Sequence, residues 1–189
     1  MNTMNPDDKH SNDMLNKLRA AVLGANDGIV STAAVIMGVA AATNDIGPIF
    51  TAGLAALVAG AISMAVGEYV SVSSQSDAER SYLDRQKDSE ISEGDHQDIV
   101  NPWSAAIASF LAFAVGGLIP FIAVLVAPEE IRIVLTGVAV VAALFLTGYI
   151  SATVGQASRK RAVLRVVIGG LLAMIITYLV GSMFGTSIS

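Results

Sequence analysis

Five long apolar stretches dominate this chain and leave few folds open to it. They run over residues 20–42, 48–72, 104–127, 132–156 and 163–185. A helix that crosses a bilayer needs about 20 mostly apolar residues. Each stretch meets that length. Asn26 and Asp27 interrupt the first and Glu68 closes the second, while the others carry no deep charge beyond Arg165 near the start of the fifth. The joints carry turn chemistry: Thr43-Asn44-Asp45-Ile46-Gly47-Pro48 after the first span and Ala127-Pro128-Glu129-Glu130 after the third. Joints this short make consecutive spans antiparallel neighbours. The expected fold is all-α, a polytopic membrane protein of five transmembrane helices. Charged residues are only 14% of the chain, too few to cover a soluble bundle, for which about 25% is usual.

Lys and Arg set the orientation. The amino-terminal arm, residues 1–19, has three, the 73–102 loop has three and residues 157–165 have four, against Arg132 alone on the other side. That bias puts the amino terminus in the cytosol and the carboxyl terminus outside. The chain thus divides into a polar cytosolic arm, 1–19, read as disordered, and a transmembrane domain over 20–186. The arm shows no signal-peptide pattern. His10 lies in it and receives no role.

The net charge of −5 sits entirely in the 73–102 loop, where eight acids face three bases. It argues against nucleic acid, which needs a basic face. If the second helix continues into the cytosol, Asp77, Asp84 and Asp88 share a face and Arg80 pairs with Asp84. Glu93, Asp95 and His96 stand close in sequence. The segment reads as a solvated connector that attracts cations near a pore mouth at most. With no Cys, thiol catalysis and Cys-ligated metal are excluded. No nucleophile or phosphate-binding motif is present, so the chain is not expected to be an enzyme or to hold a cofactor.

Asp27 and Glu68 are the acids inside the spans. A carboxylate at membrane depth is costly unless it faces protein or water, which marks it as a candidate functional group. For Asp27 the competing role is a structural ion pair or an interhelical hydrogen bond. For Glu68, near the cytosolic end, it is snorkelling or capping. With the first hairpin turning near residue 45, positions at equal depth add to about 91, which sets Asp27 level with Met64. Met64 and Glu68 are four residues apart and share a face. Carboxylate oxygen with thioether sulfur suits a borderline ion such as Fe²⁺ better than Mg²⁺ or Ca²⁺. Asn26 and Ser31 add oxygen donors. Gly24, Ser31, Ala34 and Gly38 line the Asp27 stripe, Gly24 and Gly28 form a G-x-x-x-G, and Gly53, Gly60 and Gly67 recur every seven residues. These favour tight helix packing or dimerisation. Pro120 frees a carbonyl near Gly116 and is expected to kink the third span. Asn101-Pro102-Trp103 reads as a helix start with an interfacial aromatic.

Leu23 through Thr32 (LGANDGIVST) and Ala59 through Ser71 (AGAISMAVGEYVS) resemble the vacuolar iron transporter family, including its nodulin-like members. The Asn101-Pro102-Trp103 start, the LFLTG stretch at Leu144–Gly148 and the last span fit as well, so that the resemblance covers roughly 15–186. It implies a homodimer whose first helices line a metal path, moving Fe²⁺ and often Mn²⁺ out of the cytosol in exchange for protons. By motif, Asp27 matches the pathway aspartate and Met64 the pathway methionine. Two departures stand out. Some members carry an acid eight residues before the methionine, where this chain has Ala56, and have glycine where it has Glu68. The long Glu-rich cytosolic helices of other members are also missing, which makes this a short form without that metal-binding domain.

The expected function is therefore export of a divalent transition metal, Fe²⁺ first and Mn²⁺ second, by proton antiport. Asp27, Met64, Glu68, Asn26 and Ser31 are the metal residues, metal ions and protons are the passengers, and the homodimer forms through the first helix. The expected location is the cell (inner) membrane, or a vacuolar-type membrane in a eukaryote. One rival is a non-transporting membrane scaffold with structural acids. Another is an exporter of an organic cation, which needs an aromatic-lined cavity that 6% aromatics poorly supply.

Overall fold

The computed structural model describes the backbone of residues 6–87 and 101–188. Among the described residues it is all helix. The elements are α1 (Pro6–Ala42), α2 (Ile46–Lys87), α3 (Pro102–Val126), a short 3-10 turn (Glu129–Ile131), α4 (Arg132–Val154) and α5 (Arg159–Ile188). All five α-helices are long and apolar enough to cross a membrane, and the chain is a multi-pass membrane protein.

The chemistry of the joints explains where the helices end. After α1 the Asp45 amide donates to Thr43 Oγ1 (3.1 Å) and the Gly47 amide donates to Asp45 Oδ1 (3.0 Å). Asp45 thereby satisfies one of the free amides at the start of α2. Asn101 caps α3 by accepting from the Trp103 amide (3.0 Å), with Pro102 at the first helical position. The predicted helix start is found, and Trp103 packs against Tyr69 of α2 in a tilted contact, 4.8 Å between ring centres. At the end of α4 the chain turns at Gln156, a non-glycine residue with φ of 49°. The Ala157 amide reaches back to the Ala152 carbonyl (2.9 Å), closing the helix in the manner of a Schellman cap.

Two expectations shift. The amino-terminal arm is helical from Pro6 and continuous with α1. The second helix does not stop near residue 72 but runs on to Lys87, taking in the first half of the 73–102 loop. Ser76 on this extension is buried, its hydroxyl donating to the Val72 carbonyl at 2.9 Å. The side chains of His10, Asp84, Asp88, Glu93, Asp95 and His96 lie outside the described residues, so the proposed groupings of the acidic segment do as well. Pro120 is fully buried within α3, whose helical assignment continues through it.

α1, α3 and α5 run parallel, with α2 and α4 antiparallel to them. The end at which the odd-numbered helices begin holds ten of the eleven Lys and Arg residues and is called the basic end below. The tightest seam joins α1 to α3. A methyl placed on Gly24 would stand 2.5 Å from the Ser109 carbonyl oxygen, and one on Gly28 would collide with the backbone of Phe113. From the other side, Gly116 meets the backbone of Ala25, and Gly117 meets the side chains of Leu57 and Thr32. The G-x-x-x-G of α1 is thus used within the chain. A second seam binds α1 to α5, where Gly38 meets Gly181 and Ala42 meets Gly185. Buried apolar side chains fill the space between: Ile29, Ala33 and Met37 pack with Val140, Leu144 and Met174, and Ile36 and Ala40 pack with Ile49, Phe121 and Val124.

Candidate functional site

Asp27 stands on α1 eleven residues past Asn16, the first residue of the segment long and apolar enough to cross a membrane, or about 16 Å along the axis at 1.5 Å per residue. It is half-buried. The Ser31 hydroxyl, one turn on, donates to its Oδ1 at 2.7 Å. A hydrogen bond to an ionised acceptor is stronger than a neutral one and fixes the carboxylate rotamer. The acid is therefore oriented by its own helix. Beside it, Asn26 is half-buried, and its Oδ1 is fully buried without a hydrogen-bond partner. An oxygen left in that condition costs about 1–3 kcal/mol. Two oxygen-bearing residues thus follow one another in sequence at mid-helix, one oriented by Ser31 and one unsatisfied, their side chains leaving the helix about 100° apart.

The inward face of α2 carries Gly53, Leu57, Ala61, Glu68 and Val72, all buried, with Gly60 and Met64 half covered. Met64 and Glu68 share that face as expected. The register of the hairpin differs slightly from the expected one. Ile36 lies against Gly53, and Thr32 and Leu57 meet at Gly117. These levels add to 89 instead of 91, which sets Asp27 level with Ile62 and leaves Met64 about 3 Å nearer the basic end. The joint accounts for the difference: α1 ends at Ala42 and α2 begins at Ile46, which centres the hairpin on residue 44. Phe113 of α3 is wedged between the first two helices, its backbone against Gly28 and its ring against Gly60. It is 1% exposed.

Glu68 is the buried acid of the bundle, 7% exposed. Arg19 Nη2 donates to its Oε1 at 3.1 Å, with Arg19 itself 53% exposed. Glu68 therefore does not snorkel to water; it is held by a cation from α1. The competing role considered for Asp27, a contact across helices, finds no counterpart in its bond to Ser31. Sequence reasoning missed the Arg19–Glu68 pair, although the hairpin arithmetic contained it: Arg19 falls within about a turn of the level of Glu68, well inside the reach of an arginine. It also missed Phe113, which no local signal marks out.

Among the described residues no three His, Asp or Glu side chains gather as a metal cluster. The donors at the Asp27 level are one carboxylate, one amide oxygen, one hydroxyl and a thioether slightly nearer the basic end. Such a set suits transient, partial coordination better than a closed structural site, which takes four ligands or more.

The model of the VIT family matches residues 18–95 and 86–182. The chain is 45% identical over 170 residues to vacuolar iron transporter homolog 4 of Arabidopsis thaliana, covering 87% of this chain and 84% of that one. It is 46% identical over 162 residues to homolog 3 of the same plant, covering 85% and 80%. Against vacuolar iron transporter homolog 2 of Oryza sativa subsp. japonica it is 42% identical over 174 residues, covering 89% and 91%. The chain belongs to the VIT family.

Proposed function

We propose that this VIT-family chain exports Fe²⁺, and secondarily Mn²⁺, from the cytosol by proton antiport. The observation that carries the proposal is the mid-helix carboxylate of Asp27, oriented by Ser31 and next in sequence to Asn26, whose amide oxygen is buried and unsatisfied. Similarity to proteins named as vacuolar iron transporter homologs supports the choice of cargo. With the basic end in the cytosol, Glu68 admits the ion, Met64 receives it about one turn deeper, and Asp27 holds it partly dehydrated with Asn26 and Ser31. Protonation of Asp27 from the outer side then removes the charge that holds the metal, and the ion leaves as the proton enters. A single chain offers few donors at the Asp27 level, and that face of α1 is only half covered. A homodimer meeting along α1 would double the donor set. The membrane is the cell membrane, or a vacuolar-type membrane in a eukaryotic cell.

Purified protein in proteoliposomes with a pH gradient tests this directly. Wild type carries Fe²⁺ and Asp27→Ala does not; a variant that transports like wild type places the site elsewhere. The ion pair of Glu68 with Arg19 is also what a non-transporting scaffold would contain. That reading predicts no flux from the wild type, with Asp27→Asn failing to fold instead of failing to transport.

A further inference from the structure

We propose, building on the reading of Glu68 as the acid that admits metal, that Arg19 is a tethered counter-ion which occupies this acid and must be displaced before an ion can enter. Arg19 is thus a specificity-determining residue at the cytosolic mouth. Three observations meet here. Glu68 is 7% exposed, and a charge so deeply covered needs a cation beside it. The cation present is Arg19, at 3.1 Å, and it is 53% exposed, so its guanidinium is not packed in by the rest of this chain and can swing away from the acid. Arg19 also lies two turns before Asp27 on the same stripe of α1, with Leu23 between them, as Glu68 lies one turn before Met64 on α2. The outer pair, Arg19 and Glu68, therefore stands at the basic end of the same hairpin that holds the deeper pair.

The physical consequence is competition. A side chain fixed on the neighbouring helix acts as a ligand at an effective concentration of about millimolar or more. A monovalent ion offers Glu68 no more charge than Arg19 does and gives up its hydration to gain it. A divalent transition metal brings twice the charge and can continue to Met64 and Asp27, so it displaces the arginine where sodium and potassium do not. The bidentate geometry available to guanidinium makes Arg a firmer occupant than Lys.

Uptake of Mn²⁺, a stable stand-in for Fe²⁺, by proteoliposomes decides the matter, together with equilibrium Mn²⁺ binding to the full-length detergent-purified protein. Arg19→Gln is expected to lower the half-saturating Mn²⁺ concentration about tenfold, equivalent to about 1.4 kcal/mol, with a smaller change in maximal rate. Arg19→Lys should fall between Gln and wild type. In a Glu68→Gln background the Arg19 change should have no effect on half-saturation. An unchanged half-saturation in Arg19→Gln, or the same shift with and without Glu68, overturns the proposal. Glu68→Gln alone separates the two ideas: it raises half-saturation if Glu68 admits metal, and if it does not, the entry reading fails and the proposal with it. Should Arg19→Gln fail to fold, Arg19→Lys decides, and a wild-type half-saturation there counts against the counter-ion. Should the wild type carry no Mn²⁺, equilibrium binding decides in the same terms, with no gain of affinity in Arg19→Gln as the overturning result.

Discussion

Gly28 is the residue on which the α1–α3 seam can be tested most sharply, because its neighbour there is backbone. In Gly28→Ala the new methyl would lie 2.9 Å from both Cα and the carbonyl carbon of Phe113, and closer still to the carbonyl oxygen. A side chain could rotate away; a helix backbone cannot. The helices must part by about an ångström at this level before the carbonyl oxygen reaches the 3.4 Å of ordinary contact. The same separation loosens Gly24 against Ser109 and Gly116 against Ala25, which lie within a turn or so along the seam. Overpacking of this kind costs about 1–3 kcal/mol. Against a backbone neighbour the upper part of that range applies, about 2–3 kcal/mol, and alanine returns up to about 1 kcal/mol of helix propensity, leaving a net loss of about 1–2 kcal/mol. For a chain this long, that is a fall of about 2–8 °C in the melting midpoint, at about 2–4 °C per kcal/mol. Gly67→Ala and Gly169→Ala are the controls, since nothing stands within 4 Å of a methyl at either position. They gain propensity without the clash and should melt at or above the wild-type midpoint. Thermal unfolding of the three variants in one detergent measures this. A Gly28→Ala protein as stable as wild type, or controls destabilised equally, would refute the backbone-contact argument. Because Gly28 follows Asp27 directly, metal uptake by Gly28→Ala should fall along with stability.

Ser31→Ala removes the hydrogen bond that orients Asp27; such a bond to a charged acceptor is worth about 1.5–3 kcal/mol of stability, so the melting midpoint should fall by about 3 °C or more and half-saturation for Fe²⁺ uptake should rise, an unchanged half-saturation removing Ser31 from the site. The chain contains no cysteine, so single-cysteine labelling reports topology without background. In intact cells a membrane-impermeant maleimide should modify Asn44→Cys and leave Ser158→Cys untouched until the membrane is opened; the reverse pattern would invert the assigned orientation and the direction of export with it.

The spans, their number and the joints were readable because the bilayer imposes a length and forbids loose polar backbone inside it. Asn101 and Pro102 were readable for a local reason, since a cap depends on the few residues that form it. Where α2 ends was harder to read. Past residue 72 the sequence turns polar and acidic, which looks like a loop, yet Ser76 and the turns around it remain helical. Helix continuation costs little once a helix is nucleated, because each added residue gains a hydrogen bond. Polarity marks where apolar contact fades and says little about where the backbone stops winding. The arm before α1 shows the same effect from Pro6 onward.

Hairpin arithmetic treats the first two helices as touching along their length, and the structure shows why that holds only approximately. At the level of Asp27 the space between them is occupied by Phe113, which belongs to a helix more than seventy residues later in the chain than Gly28. No pattern within α1 or α2 announces an intruder from α3. The glycines that admit it, Gly28 and Gly60, read equally well as a dimer motif, since a gap in a helix surface does not name what fills it. Toward the basic end the register drifts further, Arg19 and Glu68 adding to 87, yet the long arginine side chain still comes within hydrogen-bond distance of the acid. The wedge therefore sets the geometry of the proposed path. Its ring fills the gap between α1 and α2 at this level, so an ion held by Asp27 must lie on a face that the ring does not occupy, while the ion pair links the same two helices at the end where the ion would enter.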